Sequence, residues 1–221
     1  MAILKRHSVL VADDHSLYRA GLSFLLKDRL GFDSVIEAAN FDAALDRLSE
    51  RSAIELALFD LSMPGISGPE SLSVVKETYP GLRVAIVSGS EDRDDVLRTV
   101  ATGLSGYVPK SLLDDEIVGA LQDILDGRIY VPRFMTAHGS SSGGKSSPSE
   151  HSEIRGGPGG GAVTKPISPR QRDVLDCVRR GLSNKEIARE LDIAEGTVKI
   201  HLAALFSHFG ARNRTELATK R

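Results

Sequence analysis

A chain of 221 residues that is 41% hydrophobic can bury a sizeable core in one or two domains. Its one cysteine, Cys177, excludes a disulfide framework and a thiolate metal site and suits a reducing compartment; no apolar stretch approaches 18 residues, so a cytoplasmic protein without a membrane span is expected. Charge is unevenly spread: residues 1–137 carry 14 Lys and Arg against 21 Asp and Glu, about −7, while residues 166–221 carry 11 against 7, about +4, and a basic end suits a polyanion such as nucleic acid.

The first 130 residues alternate strand-like and helix-like segments. Ser8-Val9-Leu10-Val11-Ala12 is an apolar run ending on Asp13-Asp14, after which Leu17, Ala20, Leu22, Phe24, Leu25 and Leu26 recur at helical spacing. Ser34-Val35-Ile36 precedes Ala43, Ala44, Leu45 and Leu48. Ile54 to Phe59 ends on Asp60, and Pro64, Gly65 and Gly68 then turn the chain into a loop before Leu72, Val74 and Val75. Leu82 to Val87 precedes Val96, Leu97 and Val100, and Gly106-Tyr107-Val108 precedes Ile117, Leu121, Ile124 and Leu125. Five strand–helix units with short connections predict an α/β fold, a doubly wound five-stranded parallel sheet covered on both faces.

Periodicity stops between Gly139 and Pro166, where Ser140-Ser141-Ser142-Gly143-Gly144 and Gly156-Gly157-Pro158-Gly159-Gly160-Gly161 have flexible-linker composition. The glycine run lacks the preceding strand and the following Lys-Ser/Thr of a phosphate-binding loop. The expected domains are therefore 7–130, a linker over 131–165, and a small all-α domain over 166–221. In the last, Ser168-Pro169-Arg170-Gln171 and Ser183-Asn184-Lys185-Glu186 mark two capped helix starts. A longer helix over Glu195–Phe209 carries an apolar stripe of Val198, Leu202, Leu205, Phe206 and Phe209 opposite Lys199, Ile200, Ala203, Ala204 and Ser207. A short helix, tight turn and longer helix is the helix-turn-helix layout, whose second helix enters the major groove; a plain helical bundle is the alternative. Ile200, expected to be exposed beside Lys199, suits a thymine methyl group, and Lys185, Arg189, Arg212 and Arg214 are placed for phosphates. His201 and His208 lack partners at metal spacing, so packing or phosphate contact is expected of them.

In doubly wound order, Asp13 and Asp14 at the end of the first strand lie beside Asp60 at the end of the third, at the sheet edge where reacting groups collect. Three carboxylates in one crevice call for a cation, and hard oxygen ligands suit Mg²⁺. One of them can then act as nucleophile toward a phosphoryl group, with Ser88 offering a hydroxyl and Lys110 an ammonium from the next two strand ends.

These residues carry a resemblance. Asp13-Asp14-His15-Ser16-Leu17-Tyr18-Arg19-Ala20-Gly21-Leu22, Asp60 with Met63-Pro64 and Gly68, Ser88-Gly89, and Gly106-Tyr107 with Lys110 resemble the flavodoxin-like receiver domain of two-component response regulators. Gly181-Leu182-Ser183-Asn184-Lys185-Glu186-Ile187-Ala188 and Thr197-Val198-Lys199-Ile200-His201-Leu202 resemble the LuxR-type DNA-binding domain, and the two together resemble the NarL/FixJ family. The resemblance implies a sensor histidine kinase as phosphoryl donor, Asp60 as acceptor, and double-stranded DNA and a second copy of the phosphorylated chain as partners, in a regulator that is not an enzyme. It implies Mg²⁺ held by Asp14, Asp60 and the Ser62 carbonyl, with Asp13 acting partly through water. Ser88 and Tyr107 would form a switch pair in which the ring turns inward on phosphorylation. Lys185, Thr197, Lys199, Ile200, His201 and Ala203 would face DNA.

The sequence departs from that pattern in three ways. Ala194 stands where a capping Ser is usual, Ala203 and Ser207-His208 replace positions that are often basic, and Pro109 precedes Lys110, which could alter the approach of the lysine to Asp60. An aspartyl-phosphate phosphohydrolase would need a second carboxylate where Ser62 stands. A phosphorylation-independent interaction platform would not need the acidic pair, Ser88 or Lys110.

Overall fold

The computed structural model describes residues 6–50, 53–135 and 166–220. Five parallel strands, β1 (Arg6–Ala12), β2 (Phe32–Ala38), β3 (Ile54–Phe59), β4 (Arg83–Ser88) and β5 (Gly106–Pro109), form one sheet in the order β2-β1-β3-β4-β5. Helices α1 (Ser16–Asp28), α2 (Phe41–Glu50), α3 (Pro69–Thr78), α4 (Arg93–Ala101) and α5 (Asp114–Leu125) connect and follow them. Alternate strand residues serve opposite faces, as the two-residue strand period requires. Val9, Val11, Leu56 and Leu58 pack with Leu26 and Leu121 under α1 and α5, whereas Leu10, Ala57, Phe59 and Ile86 pack with Phe41, Leu45 and Leu72 under α2 and α3. Burying each of the larger of these side chains contributes about 1.5–3 kcal/mol.

The strand order creates the site. The chain leaves β1 to one side for β2 and returns to the other side for β3, so β1 and β3 are neighbours with Ala12 opposite Phe59. The residues that follow, Asp13 and Asp60, emerge side by side at the carboxyl edge.

The segment 131–135 was expected within the linker, yet it is packed. Tyr130 makes an isolated bridge with Gly106; its carbonyl accepts from the Tyr107 amide at 3.0 Å and its amide donates to Ser105 at 3.1 Å. A single 3-10 turn over Arg133–Met135 follows, with Val131, Phe134 and Met135 against the core. Burial of these apolar side chains explains why the segment packs. The Gly/Ser-rich stretch, including the run at 156–161, lies outside the described residues.

The C-terminal domain has four helices, α6 (Pro169–Arg179), α7 (Asn184–Glu190), α8 (Glu195–Phe209) and α9 (Arg214–Thr219). Both expected capping boxes form: the Ser168 hydroxyl accepts from the Gln171 amide while the Gln171 side chain reaches back, and Ser183 does the same with Glu186. Val174, Leu175, Val178, Ile187, Val198, Leu202, Leu205 and Leu217 form the core with Cys177, a buried packing residue. Ala194 begins α8 with no side-chain cap, as its methyl group dictates.

Candidate functional site

Asp13, Asp14 and Asp60 meet in one pocket together with His15, one ligand atom from each lying within 4.8 Å of the others. Asp60 is 1% exposed and Asp13 2%, while Asp14 is open to solvent at the rim. Lys110 enters from the end of β5 and sets its Nζ 2.6 Å from Asp13 Oδ2 and 3.1 Å from Asp60 Oδ2. Pro109 does not divert it: Pro109 pairs with Ser88 at the sheet edge, and the Lys110 amide donates to the Ser88 carbonyl at 2.8 Å. An ammonium between two buried carboxylates offsets a charge density that could not otherwise be taken out of water.

The backbone fixes the carboxylates. The Asp60 amide donates to the Ala12 carbonyl at 2.9 Å, and Asp60 Oδ1 accepts from the Ser62 amide at 3.0 Å, folding the post-strand loop around the carboxylate. Asp13 Oδ1 accepts from the His15 amide at 2.8 Å, and Arg19 donates to the Asp13 carbonyl at 2.7 Å. Asp60 Oδ2 is buried, with the Lys110 ammonium as its ion-pair partner. The carboxylate oxygens of Asp13, Asp14 and Asp60, gathered at one edge, fit the donor set of a divalent cation such as Mg²⁺. The Tyr18 hydroxyl, buried beside the pocket, is pushed above its usual range by burial and by the charges of Asp13 and Asp60, and its ring lies 4.8 Å from Lys110 Nζ.

Ser88 and Tyr107 occupy the next two strands. Ser88 Oγ accepts from the Ser90 amide at 3.1 Å and the Tyr107 hydroxyl donates to the Ser90 carbonyl at 2.7 Å, so both hold the loop after β4. The expected inward turn of Tyr107 has no outward starting point here, because the ring is already buried; burial also raises its hydroxyl pKa. Van der Waals contact on the core side of β5 gives the ring a better place than solvent.

The DNA-facing set divides in two. Lys185 and Lys199 are exposed, but Thr197, Ile200 and His201 are buried and Ala203 is half-buried. Ile200, expected at the surface, is 0% exposed and belongs to the receiver core cluster around Leu72 and Val75. The cause is docking of α8 across α3 and the start of α2, which covers the face that a helix-turn-helix presents to the groove.

Polar contacts fasten this arrangement. Ser168 Oγ donates to Asp42 Oδ1 at 2.9 Å, and the Arg170 amide donates to Asp42 Oδ2 at 3.3 Å. Gln171 Nε2 donates to the Gly65 carbonyl at 2.6 Å, and Ser67 Oγ donates to the Ala204 carbonyl at 3.2 Å. Gly65 has φ +95, and a Cβ there would stand 3.2 Å from Phe41 and 3.4 Å from Ser168, so this approach suits glycine. His201 lies edge-on to Phe41, with ring centroids 6.4 Å apart and Nδ1 3.8 Å from Asp42. Burial and the nearby Arg170 lower its pKa to about 4, while burial raises that of Asp42 against the hydrogen bonds from Ser168 and Arg170. The sequence reading missed Asp42, Gly65 and Gln171 in this role. The one signal was Ile200, a large apolar residue opposite the core stripe.

Comparison with known proteins identifies the family of each domain. Residues 9–122 match the response regulator receiver domain family, and residues 165–220 match the luxR family of bacterial regulatory proteins. The chain belongs to the NarL/FixJ-type response regulators, with a receiver domain and a LuxR-type DNA-binding domain. It is 32% identical over 95% of its length to the glycerol metabolism activator of Pseudomonas putida, covering 92% of that protein, and 29% identical over 96% to the nitrate/nitrite response regulator NarL of Escherichia coli K12, covering 93%. A LuxR family DNA-binding response regulator from Silicibacter pomeroyi aligns structurally with a TM-score of 0.51 at 29% identity, over 58% of this chain and 98% of that one. No helix among the described residues is long and apolar enough to cross a membrane.

Proposed function

We propose that Asp60 is the phosphoacceptor of this two-component regulator, and that its phosphorylation by a sensor histidine kinase frees α8 to bind double-stranded DNA, the phosphorylated chain pairing as a homodimer. The observation that carries this reading is Lys110 Nζ between Asp13 and Asp60, because it gathers residues from β1, β3 and β5 at one sheet edge. In the transfer a carboxylate oxygen of Asp60 attacks the phosphorus, the nitrogen–phosphorus bond of the donor histidine breaks, and the imidazole keeps the electron pair. Lys110 then pairs with a phosphoryl oxygen, and the Ser88 hydroxyl donates to another.

Asp14, Asp60 and the Ser62 carbonyl would hold Mg²⁺, with Asp13 beside it, and the ion would neutralise charge on the transferred oxygens. Ser62 cannot supply the second carboxylate of a phosphohydrolase, so the transfer is a signalling event and not a turnover, in a protein acting in the cytoplasm.

The route from pocket to DNA is short. The loop that begins at Asp60 also contains Gly65 and Ser67, which accept and donate the bonds that hold the C-terminal domain. A shift of that loop on phosphorylation removes the support of α8, which has two discrete positions, docked and free. Lys199 and Lys185 would then meet phosphates while Thr197, Ile200, His201 and Ala203 approach base edges.

Acetyl phosphate with Mg²⁺ tests the reading. The wild type gains the mass of one phosphoryl group and binds DNA more tightly, and Asp60→Asn does neither. A mass gain retained by Asp60→Asn, or one without any change in DNA binding, contradicts it.

A further inference from the structure

We infer that Tyr18 is a positioning residue for the phosphoryl transfer, the face of its ring holding the Lys110 ammonium where a phosphoryl oxygen must be met; this rests on the reading that Asp60 is the phosphoacceptor. Lys110 Nζ lies over the Tyr18 ring, 4.8 Å from its centroid, and the same nitrogen stands 2.6 Å from Asp13 Oδ2 and 3.1 Å from Asp60 Oδ2. Only 16% of the lysine side chain is exposed, so two carboxylates and an aromatic face replace most of its water. A cation is drawn to the negative face of a ring, and more strongly where water is kept away.

Two features separate this contact from incidental packing. Tyr18 stands in the first turn of α1, and its ring packs against the buried cluster that contains Leu22, Ile117 and Leu121 under α1 and α5. The ring therefore has a fixed place, whereas a lysine on its long flexible stem has many. The Tyr18 hydroxyl is buried and makes no hydrogen bond among the described residues, so the ring and not the polar tip ties this residue to the pocket.

The contact matters most while the reaction proceeds. A carboxylate oxygen of Asp60 attacks the phosphorus of acetyl phosphate, the bond from phosphorus to the acetate oxygen breaks, and acetate leaves with the electron pair. The Asp60 carboxyl becomes an acyl phosphate and gives up the charge that anchored Lys110 on one side. The ring keeps its quadrupole throughout. It holds the ammonium beside Asp13 as charge moves onto the transferred oxygens, so the lysine does not have to be recruited from other rotamers in the transition state.

The rate at which acetyl phosphate phosphorylates the full-length chain in excess Mg²⁺ tests this. It is followed by mass on wild type, Tyr18→Phe, Tyr18→Leu and Tyr18→Met, with thermal unfolding confirming that each variant folds. Tyr18→Leu and Tyr18→Met lack the ring and should react roughly three- to tenfold more slowly than wild type, and Tyr18→Phe, which returns it, should recover most of that loss. Phenylalanine with one, two and three ring fluorines at position 18 keeps the shape while weakening the negative face, and the rate should fall stepwise along that series, which a packing role would not produce. Equal rates for Tyr18→Leu and wild type, or rates that do not fall with fluorination, overturn the inference alone. A wild type that gains no phosphoryl group, or a gain retained by Asp60→Asn, overturns the reading beneath it as well.

Discussion

Gln171 Nε2 donates a 2.6 Å hydrogen bond to the carbonyl of Gly65, five residues beyond Asp60 on the same loop. The two residues are 106 apart in sequence and belong to different domains, so the candidate phosphorylation loop is itself part of the surface on which the DNA-binding domain rests. By linkage, whatever favours the free α8 must also favour the loop conformation that release produces.

Asp42→Ala removes the acceptor of the bonds from Ser168 and Arg170 and leaves every residue of the DNA-binding domain unchanged. Bonds to a charged group contribute about 1.5–3 kcal/mol each, offset here by the burial that raises the Asp42 pKa. A net loss of about 1–2 kcal/mol from the docked form is expected, seen as a roughly tenfold tighter binding of DNA by the unphosphorylated variant in an anisotropy titration. Unchanged affinity would mean that the contact does not restrain α8.

Acid should open the molecule. His201 is held neutral in the docked form with a pKa near 4, against about 6.5 in a solvated helix. The docked form binds fewer protons, so its advantage is complete above about pH 6.5 and is lost as pH falls from there toward 4. Arg170 works in the same direction, while Asp42, with its raised pKa, takes up a proton in the docked form and opposes the trend at the acidic end. Between pH 7 and 5 the free fraction should rise on the order of tenfold, measured as hydrogen exchange in α3, and His201→Asn should flatten the dependence.

Lys110→Ala leaves Asp13 and Asp60 buried without their shared cation. Breaking a buried pair from one side typically costs about 3–5 kcal/mol, here reduced because Asp14 and the rim of the pocket admit water. A fall in thermal stability is expected at low Mg²⁺, with partial recovery when Mg²⁺ is added. Equal loss with and without Mg²⁺ would place the cation elsewhere.

Much of this was legible in the chain. Short apolar runs ending on Asp13, Asp60 and Ser88 marked strand ends, and parallel strand order then implied the pocket. Ser168 and Ser183 announced their helices because capping is a local interaction. Domain docking is not local, and its bonds come from an Asp, a Gly and a Gln that have ordinary solvated roles elsewhere. Ile200 looked like a base contact because an apolar residue opposite the core stripe needs a partner, and sequence cannot say which partner. The order of 131–135 was missed because three apolar residues are too few to show a period.

Ala194→Ser should supply the missing cap of α8 and stabilise the C-terminal domain by about 1 kcal/mol. The change is read as a higher midpoint for that domain in thermal or urea unfolding. No change would mean that water already satisfies the free amides.

The most direct test follows release itself. Hydrogen exchange across α3 and α8 of the full-length protein is measured before and after acetyl phosphate and Mg²⁺, on wild type and on Asp60→Asn. Faster exchange on the facing surfaces of both helices in the phosphorylated wild type, absent from Asp60→Asn and accompanied by tighter DNA binding, is the predicted result. Protection of α3 and α8 that stays the same while a phosphoryl group is present on Asp60 would contradict the account.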